Sequence, residues 1–147
     1  MQFVMDTSAF IAGLRSPSGA AAEILRLTLP GRVQMLVSVP LFLEYEAVAM
    51  RQEHLRAAGL SQSDAAALLD AIATRMRPIN IWFLWRPQLR DPDDEMVLEV
   101  AVNGGADAII TFNPRDFAPA VARFGLSLLV PAEALLRISG LSVTGKR

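Results

Sequence analysis

The stretch DPDDEMVLEVAVNGGADAIITFNPRDF, residues 91–117, decides how this chain is read. Asp91 suits a helix cap and Pro92 the first helical position. Asp93, Asp94 and Glu95 place negative charge where the helix dipole favours it. Asn103-Gly104-Gly105 supplies the stop. Ala108–Thr111 then forms an apolar run of strand length, and Asn113-Pro114 signals a turn beyond it. A helix thus feeds a strand, with carboxylates at the start of one and just past the end of the other.

The same alternation extends outward in both directions. Gln2–Asp6 reads as a strand ending in an acid, with Thr7-Ser8 able to cap a helix after it. Ser16–Gly19 reads as a loop, Ala20–Leu29 as a helix and Val33–Val39 as a second strand. Pro40 begins a helix expected to run to about Ala58. Ser61 caps another over Gln62–Met76, and Ile79–Leu84 forms a third strand. Downstream, Ser127–Val130 gives a fifth strand and Pro131–Ile138 a last helix. Alternating strands and helices predict an α/β fold with a mainly parallel, doubly wound sheet of four or five strands. The length of 147 residues fits one domain, expected over residues 1–138, with a polar, mobile tail over 139–147.

Composition narrows the chemistry. Cysteine is absent, which excludes disulfides, thiolate nucleophiles and zinc fingers. Of the 14 basic residues all are Arg except Lys146, so no internal Lys serves a P-loop or a Schiff base. His54 is the single histidine and is expected to be an exposed helix residue rather than a ligand. A net charge of -1 argues against a pure nucleic-acid-binding module, though bound divalent metal can bring positive charge to a cleavage point. No apolar run approaches the roughly 20 residues of a membrane span. Asp6 interrupts the N-terminal apolar stretch, with no basic region before it. A soluble cytoplasmic protein is the simplest reading.

In parallel α/β sheets the ligand crevice lies beyond the carboxyl ends of the strands, and acids recur there. Asp6 closes the first strand, where a helix cap is the structural alternative. Glu44 lies a turn into the helix after the second strand, sharing a face with Leu41 and Val48. Glu46 is its competitor. Asp94 heads the stripe of Val97, Leu98 and Ala101, whereas Glu95, Glu99 and Asn103 read as the opposite, polar face. Asp116 follows the fourth strand, with capping of a short helix as the even alternative. Four acids after four strands would repel one another if they converged. A hard divalent cation such as Mg2+ or Mn2+ relieves that repulsion and activates water for phosphoryl chemistry. Trp82, Phe83 and Trp85 read as packing groups around the third strand. Arg86, Arg90 and Arg115 could meet phosphates.

Taken in order, Asp6-Thr7-Ser8, Glu44-Tyr45, Asp91-Pro92-Asp93-Asp94 and Thr111-Phe112-Asn113-Pro114-Arg115-Asp116-Phe117 resemble the PIN-domain family over roughly residues 1–138. The similarity is closest to members described as VapC-like toxin components of toxin–antitoxin systems. That resemblance implies a three-layer α/β/α sandwich and a Mg2+- or Mn2+-dependent ribonuclease acting on RNA. It also implies a partner antitoxin and a homodimer. It carries catalytic and metal-binding roles to Asp6, Glu44, Asp94 and Asp116, and substrate or supporting roles to Ser8, Asn113 and Arg115. Asn113 departs from the Asp found at that place in many members, which bears on a second metal ion. The aromatic cluster and the apolar content also suggest self-association, through the helices between Pro40 and Met76. A catalytically silent PIN-like protein-binding module is the alternative. A phosphotransfer receiver would need a Lys near its acid, and a dehalogenase-like phosphatase would need an acid where Ser8 stands.

Overall fold

The computed structural model describes residues 1–82 and 88–140. The expected third-strand residues Phe83 and Leu84, the neighbouring Trp85 and Arg86, and the tail from Leu141 lie outside the described residues. Five strands form one parallel sheet: β1 (Gln2–Met5), β2 (Gln34–Val37), β3 (Arg77–Pro78), β4 (Ala108–Ile110) and β5 (Ser127–Leu129), in the order β3-β2-β1-β4-β5. The chain starts in the middle, winds outward to β3, then crosses back to β4. It is doubly wound, and its switch point lies between β1 and β4.

Helices fill both faces. α1 (Thr7–Arg15) and α2 (Ala20–Thr28) connect β1 to β2. α3 (Val39–Ala49), α4 (Gln52–Ala58) and α5 (Gln62–Ala73) connect β2 to β3. α6 (Pro92–Gly104) carries the reversal from β3 to β4, and right-handed crossovers therefore put it on the face opposite α1–α5. It packs there on β1, β2 and β4. A 3-10 turn (Pro114–Asp116) and α7 (Ala118–Phe124) lead to β5. α8 (Pro131–Ile138) then returns to pack on α2. This is the α/β/α sandwich. Its central strands are apolar and buried over Phe3-Val4-Met5 in β1 and Ala108-Ile109-Ile110 in β4, as strands covered on both faces must be.

Several expected boundaries move, for physical reasons. Asp6, not Thr7 or Ser8, caps α1: its carboxylate accepts the Ala9 amide. The second strand ends at Val37, because Ser38 turns out to cap α3 and Val39 is already helical. The helix expected through Ala58 is two helices. At Arg51 the backbone is extended (φ -65, ψ 137), and α4 starts in a new direction. The following helix stops at Ala73, where the Thr74 hydroxyl satisfies the Ala71 carbonyl instead of continuing the helix. Among the described residues the third strand lies at Arg77–Pro78, ahead of the expected Ile79–Leu84, of which residues 79–82 are described and are not strand. Its partner β2 ends at Val37, so the ladder has nothing to pair with after the Ile79 amide bonds the Val37 carbonyl at 2.8 Å. Gly105, in the left-handed region at φ +63, ends α6, and a Cβ at Gly104 before it would press on the Leu36 and Ile79 side chains, which would have to shift.

Candidate active site

The site grows from one carboxylate at the switch point. β1 and β4 pair in the register Met5↔Ile110, and the Asp6 amide continues the ladder to the Ile110 carbonyl at 3.0 Å. Asp6 and Thr111, the residues just past the two strand ends, therefore sit side by side. Asp6 is only 6% exposed. Its Oδ1 accepts the Ala9 amide at 2.9 Å and the Ser8 hydroxyl at 3.1 Å, and its Oδ2 accepts the Thr111 hydroxyl. The Thr111 hydroxyl spends its one proton on Asp6 because the Asn113 amide donates to its oxygen at 2.9 Å. A carboxylate offers about four lone-pair positions. These three bonds leave room for one further acceptor contact.

Around Asp6 opens a cavity of about 680 Å³ at the carboxyl edge of the sheet. Glu44 from α3, Asp91, Asp93 and Asp94 from the start of α6, and Asn113 and Asp116 from the segment after β4 all line it. Asp6, Glu44, Asp94 and Asp116 thus face a single cleft. Glu46 does not contribute to its lining. Glu44 is placed by its neighbour: the Tyr45 ring stacks on Phe10 of α1 with centroids 4.1 Å apart, and its hydroxyl donates to the Met5 carbonyl. Burial, with the Asp6 charge adding to it, pushes the Tyr45 hydroxyl well above the usual phenol range, so it stays a donor. Asp116 caps no helix. α7 is preceded by Phe117 and has no side-chain cap.

The acids act on one another. Burial raises the Asp6 carboxyl above the ordinary carboxylate range. The Thr111, Ala9 and Ser8 hydrogen bonds oppose that shift, and the Asp116 charge adds to it. Asp94 is raised to about 6, first by burial and then by the charges of Asp91, Asp116, Asp6 and Asp93. These are the marks of a convergent carboxylate cluster in want of positive charge. The donor set is all oxygen, which suits Mg2+ or Mn2+. Among the described residues no three Asp, Glu or His side chains make a finished cation cage, so the acids line the cleft without closing on a common point.

Four surroundings differ from expectation. His54 is not an exposed helix residue: it is half-buried, its Nδ1 accepts from the Arg15 guanidinium at 3.1 Å, and it lines the cleft with Arg15 and Arg51. Glu95 and Glu99 are buried rather than solvated, at 3% and 5% exposure. Trp82, expected to pack in the core or in a dimer, is 77% exposed, which excludes the core. Arg115 lies in an adjoining cavity rather than in the cleft itself. Sequence reasoning missed Thr111 as a site residue. A hydroxyl just past a strand end was visible, but its contact with Asp6 needs the β1–β4 pairing, which links residues far apart in the chain.

A parallel α/β sandwich with an acid-lined crevice at its switch point defines the class of this molecule. A PIN domain model matches residues 2–115, and the chain belongs to the PIN domain family. The match ends one residue before Asp116. Among solved structures, the chain is similar in fold to one chain of VapBC2 from Rickettsia felis bound to a DNA fragment from their promoter. The TM-score is 0.58 at 13% identity, over 87% of this chain and 97% of that one. No curated protein sequence matches the chain significantly.

Proposed function

We propose that the chain is a Mg2+- or Mn2+-dependent endoribonuclease and the toxin of a toxin–antitoxin pair. The observation that carries the chemical half is Asp94. This half-buried carboxyl is raised to about 6 at the mouth of α6, in the same cleft as Asp6, Glu44 and Asp116. Asp6 and Asp94 would hold the cation, Asp6 through the acceptor position its three hydrogen bonds leave open. Glu44 and Asp116 would orient the attacking water or a second ion. A divalent cation at such a site supplies charge against a phosphoryl oxygen and eases deprotonation of water. Ser8 and Thr111 hold the Asp6 carboxylate in one rotamer. Asn113 lies at the cleft, where its amide can orient water or substrate, and Arg115 offers a planar donor for a phosphate.

The biological half rests on the family and on the VapBC2 likeness, in which the related chain occurs in a complex. Two surfaces support partners. An apolar groove between α1, α2 and α5, lined by Leu14, Leu25, Leu29, Leu60 and Leu68, offers a seat for an antitoxin segment. Val39 and Leu43, 73% and 56% exposed and one turn apart on α3, offer an apolar face for a homodimer. Among the described residues no helix is long and apolar enough to cross a membrane. The cytoplasm, where RNA is at hand, is the proposed compartment.

Purified protein incubated with mixed RNA, with and without Mn2+ and beside Asp6→Asn, tests the enzyme. Cleavage that needs both the metal and Asp6 supports it. No cleavage with any divalent metal favours the catalytically silent binding module, and equal cleavage by Asp6→Asn contradicts the site. Growth arrest on expression, relieved by Asp6→Asn, tests the toxin role.

A further inference from the structure

The cleft does not end at the acids. A second cavity of about 690 Å³ lies beyond them, lined by residues 88–91 and by Arg115 and Pro119, and it shares Asp91, Asp94 and Asp116 with the first. Asp91, Asp94 and Asp116 therefore form a ridge between two hollows, with Asp6 and Glu44 facing the first. Each hollow carries its own cations: Arg15 and Arg51 in the first, Arg90 and Arg115 in the second. Arg51, Arg90 and Arg115 are exposed, and among the described residues they enter no ion pair, although carboxylates stand nearby.

The second hollow is built, not incidental. Its floor, Gln88 and Leu89, is pinned from below by Glu95, which is 3% exposed and whose Oε1 accepts the Gln88 and Leu89 amides at 2.6 and 2.8 Å. From the side, Arg123 donates to the Gln88 side-chain oxygen at 2.8 Å. A buried carboxylate is thus committed to holding a surface segment that carries Arg90 to the cavity rim.

We propose that a single polynucleotide strand crosses the acid ridge from one hollow to the other, with phosphates on one side held by Arg51 and on the other by Arg90 and Arg115. This rests on the ribonuclease reading for the identity of the scissile group, but the strand path itself does not need cleavage. Planar guanidiniums match phosphate oxygens, and two cation sets on either side of Asp91, Asp94 and Asp116 suit a backbone that continues on both sides of the acids. The path accounts for internal cleavage. It also gives a protein of net charge -1 a local seat for a polyanion, since Arg51, Arg90 and Arg115 border the two hollows while Arg32, Arg75 and Arg137 lie at other cavities.

The test has a binding arm and a cleavage arm, both on the full chain. In the Asp6→Asn background, fluorescence anisotropy with a single-stranded RNA of about twelve nucleotides is followed against salt. Arg51→Ala and the Arg90→Ala/Arg115→Ala pair are each expected to weaken binding, roughly tenfold per lost charge-assisted contact. Each lost contact also lowers the salt slope by about 0.7. The Arg→Lys counterparts, which keep the charge, recover part of the loss. Circular dichroism and the unfolding midpoint check that each variant folds. In the cleavage arm, with Mn2+ and otherwise wild-type protein, the pair variant raises KM far more on the long RNA than on a dinucleotide, which cannot reach both hollows. If Arg90→Ala/Arg115→Ala binds the long RNA with the parent's affinity and salt slope, the strand path is wrong while Asp6-dependent cleavage still stands. If no metal-dependent cleavage exists, the ribonuclease reading fails, and the binding arm alone decides the path.

Discussion

Asp94 shows how much one position can declare. Its place at the head of an apolar stripe, next to the start of a helix, is visible in the spelling Asp93-Asp94-Glu95. The helical period puts it on the face of Val97, Leu98 and Ala101, all of which are buried. Its raised carboxyl has a consequence for pH. A folded-state value of about 6, against about 4 in the unfolded chain, means that the folded protein binds the proton more tightly. Without metal, the stability Asp94 contributes is present below about pH 4 and is lost as pH rises through about 6. Denaturant unfolding of the metal-free protein should show stability falling across that window, with the fall reduced in Asp94→Asn. Added Mn2+ should reverse it, because the cation favours the ionised form. A stability that rises from pH 4 to pH 6, and rises less in Asp94→Asn, would contradict this. Thr111 marks the opposite case. Its residue type and position were readable, yet its function comes from a neighbour more than a hundred residues away.

Among the elements, local signals placed the helix starts at Ser61, Asp91 and Pro131, because caps and prolines act within one turn. They did not place the break between α3 and α4. Ala49-Met50-Arg51-Gln52 contains neither Gly nor Pro, and the turn there arises from packing. That break matters for the cleft, since it brings Arg51 and His54 to the wall. Glu95 failed for a related reason. The helical period correctly put it opposite the stripe of Asp94, but periodicity on one helix cannot see another segment folding over it. In the structure residues 88 and 89 lie across Glu95 and give it two amides, while its Oε2 is buried with no hydrogen-bond partner among the described residues. Glu95→Ala strands those two amides and should cost about 2 kcal/mol or more. The unfolding midpoint should drop by several degrees, at about 2–4 °C per kcal/mol for a domain of this size. A midpoint within a degree of wild type would show that the segment is held by other means.

For the molecule as a whole, alternation of apolar strands with helices gave the class and the parallel sheet. It could not give the order β3-β2-β1-β4-β5, which depends on pairings between distant segments. Nor could it separate core from exposed surface: Val39 reads as the end of the second strand and Leu43 as an ordinary helix apolar, and both lie exposed on α3. If they cover each other across a two-fold axis, light scattering at micromolar concentration should show a dimer, and Leu43→Asp should yield a folded monomer. A monomeric wild-type protein would remove that interface. The acids, by contrast, were readable as a set because a parallel sheet delivers every strand's carboxyl end to the same edge, whatever the strand order.

The account stands or falls on whether the acid ridge binds a divalent cation and uses it. Mn2+ binding by titration calorimetry and cleavage of a labelled RNA by the same preparations, wild type against Asp94→Asn, measure this directly. The wild-type protein should bind Mn2+ and cut in proportion to its occupancy. Asp94→Asn should bind more weakly and lose cleavage roughly a hundredfold or more, beyond the range seen when only supporting groups around a metal are removed. An Asp94→Asn protein that binds Mn2+ and cuts RNA as the wild type does would contradict it.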